Sequence, residues 1–130
     1  VALVVVNLHE PFDSAFQALL SDSGLAVKEV KGGHLLFLPR AIRSGGIGVA
    51  YIPGILVHHH AYAPLARQIA ERAGAPVLLL RVRMRVAAIS KGPIVKALET
   101  HKGAHVTSWI VGGHSIGGTC PPFSACFACL

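Results

Sequence analysis

The chain has 130 residues, 52% of them hydrophobic and only 14% charged, so it has ample material for a core and does not read as disordered. Its length allows at most one domain. The net charge of +6 is spread along the chain, and no base-reading motif accompanies it, so nucleic acid is not an expected partner.

The opening run Val1-Ala2-Leu3-Val4-Val5-Val6 is apolar but far short of the roughly 20 residues that span a bilayer. It reads either as an opening strand or as the remnant of an N-terminal membrane anchor, so the compartment stays open between cytoplasm and membrane. Phe12, Phe16, Leu19 and Leu20 recur at helical spacing and predict an amphipathic helix, which Ser21-Asp22-Ser23-Gly24 stops. Leu25 to Val30 and His34 to Leu38 predict two strands joined as a hairpin around Lys31-Gly32-Gly33. Pro39 to Gly46 reads as a loop, and Ile47 to Ile52 as a short strand broken by Pro53-Gly54.

From here strand and helix alternate. Tyr62, Leu65, Ala66, Ile69 and Ala70 share one helical face, with Pro64 in the first turn and Gly74 as the stop. Val77 to Val82 is an unbroken apolar run of the kind buried in parallel sheets. Beyond it, Arg81, Arg83 and Arg85 alternate with apolar residues and read as a solvated strand end and loop. Pro93 opens a second helix through Ile94, Val95 and Leu98, which Gly103 closes, and Val106 to Val111 is a further strand running into Gly112-Gly113. No internal repeat interrupts this order. The expected fold is α/β: a mostly parallel sheet with helices on both faces, preceded by an N-terminal β-hairpin.

Gly113-His114-Ser115-Ile116-Gly117 matches G-x-S-x-G directly after a predicted apolar strand, where a nucleophile elbow must lie. The turn from strand to helix strains the backbone at the serine, and Gly113 and Gly117 keep neighbouring Cβ atoms out of the way. The hydroxyl of Ser115 then stands exposed at the carboxyl edge of the sheet. The plainer alternative is an ordinary Gly-rich turn. An oxyanion hole needs the N–H of the residue after the nucleophile, here Ile116, and a second from an earlier strand-end loop. Tyr51-Ile52-Pro53-Gly54-Ile55 supplies a Gly-flanked loop of that kind, with Ile55 as the second donor; a simple Pro-Gly turn is the alternative.

Taken with Ala61-Tyr62-Ala63-Pro64-Leu65-Ala66, Val77 to Val82 and Trp109-Ile110-Val111-Gly112-Gly113-His114-Ser115-Ile116-Gly117-Gly118, these segments resemble the α/β hydrolase fold-5 family, which holds dienelactone-hydrolase-like and carboxylesterase-like proteins. The resemblance covers roughly residues 12 to 118. It implies a serine hydrolase acting on an ester or related acyl bond of a small-molecule substrate, with Ser115 as nucleophile, Ile116 and Ile55 as oxyanion donors, and no cofactor or metal. The chain departs from the family pattern at Ile55, where a second glycine is usual, and at His58-His59-His60, where acidic residues are common.

The order of a hydrolase triad in this fold is Ser, then Asp or Glu, then His. The fifteen residues after Ser115 contain no Asp, Glu or His, and all six acidic residues and all eight histidines lie upstream. The expectation is a truncated three-layer sandwich with activity lost or crippled; a non-catalytic binding or regulatory protein on the same scaffold is the alternative. His58 to His60, near the oxyanion loop, are the histidines with a route to Ser115; they otherwise read as solvated loop residues, with a weak metal site the less favoured alternative because side chains of an extended segment diverge. Thr119-Cys120-Pro121-Pro122-Phe123 obstructs a helix, all three cysteines fall in the last eleven residues, and Cys126-Phe127-Ala128-Cys129 lacks the second ligand pair of a zinc site. The organisation read here is an apolar segment at 1–11, a partial hydrolase domain at 12–118 and a foreign tail at 119–130. The unpaired edge of such a sheet predicts self-association.

Overall fold

The computed structural model describes residues 13–54, 57–82 and 91–113. Among these, the hairpin is the part that local chemistry dictates most directly. Strand β1 (Leu25–Val30) pairs antiparallel with β2 (His34–Pro39), Val30 opposite His34. Gly32 and Gly33 both take positive φ, at 93° and 78°, where a side chain would be strained, and the Gly33 N–H closes the turn on the Val30 carbonyl at 3.0 Å. Strand β2 in turn pairs antiparallel with β4 (Val77–Leu79).

Strand β3 (Ile47–Ile52) pairs parallel with β4 on one side and with β5 (Ser108–Gly113) on the other, giving the order β1-β2-β4-β3-β5. The β3-β4-β5 portion is thus parallel and preceded by a hairpin, as the sequence pattern implies, and the structure joins that hairpin to it antiparallel. Helix α2 (Ala63–Ala73) connects β3 to β4, and helix α3 (Lys91–Thr100) lies between β4 and β5. Helix α1 (Asp13–Ala18) precedes the hairpin.

Side chains alternate across the sheet with period two and build one core on each face. On one face Ala50 and Ile52 of β3, Leu78 and Leu80, and Trp109 and Val111 of β5 pack with Ile94, Ala97 and Leu98 of α3. On the other, Leu25, Leu35 and Phe37 of the hairpin with Val77 and Leu79 pack under Ala63, Ala66 and Ala70 of α2 and Ala18 of α1. The result is three layers, with α1 and α2 on one side of the sheet and α3 on the other. The Trp109 Nε1–H donates to the Leu98 carbonyl at 2.8 Å, so the largest buried side chain satisfies its own polar atom.

Three sequence expectations change. Phe16 and Leu20 are exposed, at 50% and 59%, and α1 buries Ala15 and Ala18 instead. Small side chains let α1 sit close to α2, and a stripe of large residues does not reveal that contact. Leu65 is likewise exposed on α2, whose inward face is Ala63, Ala66 and Ala70. The strand expected over Val77 to Val82 ends at Leu79; beyond Leu80, the Arg81 N–H donates to the His34 ring at 2.9 Å rather than to a neighbouring strand. Helix α2 ends as expected at Gly74, with φ 59°. The expectations for Val1 to Val6, Phe12, Arg83, Arg85 and the tail at 119–130 lie outside the described residues.

Candidate active site at the carboxyl edge of the sheet

The chain leaves β3 through α2 over one face to reach β4, then returns through α3 over the opposite face to reach β5 on the other flank of β3. Crossovers that part in this way open a crevice beyond the carboxyl ends of β3 and β5, and open α/β sheets collect ligands there. Those ends are in register. Tyr51 is opposite Gly112, and Ile52 is opposite Gly113.

Past Ile52, Pro53 and Gly54 are buried. The Gly54 N–H donates to the Tyr62 hydroxyl at 3.1 Å, which ties the loop after β3 to the start of α2. The Tyr51 and Tyr62 rings lie 5.3 Å apart, and burial, with Tyr62 beside it, holds the Tyr51 hydroxyl above its ordinary pKa. The Val57 N–H donates to the Gly54 carbonyl at 3.3 Å. Of the residues singled out in the sequence, Gly113 is the last of β5; Ser115, Ile116, Gly117 and Ile55 lie outside the described residues.

The loop then forms a 3-10 turn, His59–Tyr62, instead of an extended run. His58 caps it, its Nδ1 accepting the His60 N–H at 3.1 Å. Expected to diverge, the three imidazoles instead gather: ring centroids are 4.8 Å apart for His58 and His59, and 4.4 Å for each with His60. Nor are they all solvated. His59 is 7% exposed, and its Nε2 meets no hydrogen-bond partner among the described residues. Burial above all, then the neighbouring His60 and His58, push its pKa down to about 3, with the Gly33 backbone opposing and Arg81 adding to the shift. Burial also lowers that of His60, against the opposing charge of Glu29.

Two further histidines escape a reading by sequence pattern. His34 is buried at the start of β2, and burial, His101 and Arg81 together lower its pKa. It stands edge-on to His101 at 6.5 Å. Both line a cavity of about 210 Å³ with Lys31, Pro93, Lys96 and Thr100. A lone histidine opening an apolar strand looks like an ordinary strand end, and only the tertiary partner of its ring distinguishes it.

Residues 48–126 match the model of the alpha/beta hydrolase family. The chain belongs to the alpha/beta hydrolase family. The matched stretch begins at β3 and runs past residue 118, where the sequence pattern ends the domain. A solved structure, an esterase/lipase from an uncultured bacterium, aligns with 79% of this chain at a TM-score of 0.50 and 16% identity. The likeness is one of fold, and the chain spans 39% of the length of that protein. Comparison with curated proteins gives no match. Within an alpha/beta hydrolase, the loop after β3 and the turn after β5 are the two segments that supply oxyanion donors and nucleophile. In this chain β3 and β5 end on the paired residues Ile52 and Gly113.

Proposed function

We propose that this chain carries the nucleophile side of a serine hydrolase acting on an ester or related acyl bond of a small molecule. Ser115 is the nucleophile, and the N–H groups of Ile116 and Ile55 are the oxyanion donors. The observation that carries this reading is the register of β3 on β5. Ile52 lies opposite Gly113, so β3 and β5 end side by side at the point where the crossovers part, and the stretches that hold Ile55 and Ser115 follow directly in sequence. Two backbone N–H groups converging there would stabilise the developing oxyanion of an acyl transfer, a contribution of about 3 kcal/mol per donor in comparable sites.

Attack by Ser115 requires a base to accept its proton. No Asp, Glu or His occurs among residues 116–130, so the 130-residue chain lacks the downstream acid and histidine of the family order. On this reading it turns over esters weakly or not at all by itself. A fluorophosphonate probe in the presence of imidazole, as an external base, tests the nucleophile separately from the missing base. The expected result is imidazole-dependent labelling mapped to Ser115 and abolished in Ser115→Ala. Labelling that Ser115→Ala leaves intact, or none at any imidazole concentration, would overturn the reading and favour a non-catalytic binding protein on the same scaffold.

A further inference from the structure

We propose that His58, His59 and His60 bind one divalent late first-row metal ion, with zinc as the reference ion, through three imidazole nitrogens. One ligand atom from each residue lies within 4.8 Å of the others. Zinc–nitrogen bonds of about 2.05 Å place tetrahedral ligands about 3.4 Å apart, so the cluster needs a contraction of about 1.5 Å at most. His58 and His60 are half-buried, whereas His59 is buried. The buried ring supplies the anchor, and the two half-buried rings complete the ligand set.

The backbone explains why three consecutive residues converge. His58 is extended, with φ −63° and ψ 132°, and its ring folds forward to cap the turn, while His59 and His60 are the first two residues of a 3-10 helix. The donor set selects the ion. Three imidazoles without a carboxylate suit zinc, nickel or copper and exclude magnesium and calcium, which demand oxygen. The buried His59 Nε2 without a partner among the described residues is a second observation pointing the same way, since buried polar atoms are otherwise nearly always satisfied. A three-nitrogen site leaves one tetrahedral position for water. A bound ion would fasten the loop between β3 and α2. The inference stands independently of Ser115.

The test is zinc uptake by the 130-residue chain, read by competition with a chromophoric chelator. Cys120→Ser, Cys126→Ser and Cys129→Ser are introduced together to remove thiolate ligands. One equivalent is expected at about micromolar affinity, undisturbed by millimolar magnesium and displaced by copper. His58→Gln and His60→Gln should each weaken uptake at least tenfold with unchanged far-UV circular dichroism, while His105→Gln, an exposed histidine elsewhere, should not. Absence of uptake, uptake indifferent to both loop substitutions, or an equal loss in His105→Gln would overturn the proposal.

Discussion

Gly48 and Trp109 illustrate how one residue's absence of a side chain fixes another's place. The two are opposite each other in the β3–β5 register, and a Cβ at Gly48 would come 2.6 Å from the indole ring. The ring has little freedom to withdraw, because its N–H is held by the Leu98 carbonyl. Gly48→Ala is therefore expected to lower stability by about 1–3 kcal/mol, the usual cost of overpacking. In urea titrations Trp109→Phe should restore part of that loss, and two strictly additive effects would contradict the steric account. At His59 the relevant term is the proton. The buried ring stays neutral down to about pH 3, whereas the unfolded chain protonates it near its ordinary 6.5. Stability is complete above pH 6.5 and falls between 6.5 and 3, by up to about 1.4 kcal/mol per pH unit from this ring. His34, His60 and His101 shift in the same direction. In a metal chelator, the urea midpoint should drop from pH 7.5 to pH 5, and His59→Gln should flatten the profile.

Helix α1 is six residues long, too short to persist alone, and its position depends on tertiary contacts. Arg67 of α2 supplies many of them: it donates to the carbonyls of Ala18 at 3.2 Å and Leu20 at 2.6 Å, pairs with Asp22, and meets Glu71 at 3.1 Å. The Asp22 carboxyl also accepts the N–H groups of Gly24 and Leu25, so one arginine fastens both the end of α1 and the turn into β1. Arg67→Met keeps the stem but removes the donors; a loss of about 1–2 kcal/mol is expected, with faster amide exchange confined to α1 and the following turn. Uniform loss of protection across the sheet would point to a different role. At this scale the sequence was informative where hydropathy and glycine coincide. The hairpin, β3 and α2 follow from alternating apolar residues, Gly32-Gly33 and Gly74. It was less informative where alanines make the contact, as at Ala15 and Ala18. It was silent where a ring replaces a strand, as His34 does at Arg81. The convergence of His58 to His60 depends on a 3-10 turn that no periodicity announces.

The whole sheet is covered unevenly. Helix α2 packs on β2 and β4, while Ile110 of β5, on that same face, is 44% exposed, and Ile47 on β3 is 43% exposed. Strand β5 also stands at the end of the described sheet, with β3 on its one paired flank. We expect the 130-residue chain to self-associate through this region. In sedimentation velocity, Ile110→Lys should shift the population towards monomer, and a wild-type profile already monomeric would count against the idea. The family was legible because its signature falls at the end of a strand, Trp109 to Gly113, and the fold around that strand follows the order the pattern implies. Among the described residues no helix is long and apolar enough to cross a membrane.

The place of β3 between β4 and β5 also sets an order of events during synthesis. Residues 25 to 79 contain β1 through β4, so those four strands meet through short connections. The outer flank of β3 must then wait for a partner about 60 residues further along the chain. Until that segment emerges, the buried position at Gly48 offers bare backbone to any passing strand. Pulsed hydrogen exchange should find the amides of Trp109 to Gly113 acquiring protection last, and a chaperone that shields nascent strands should act most strongly in that interval.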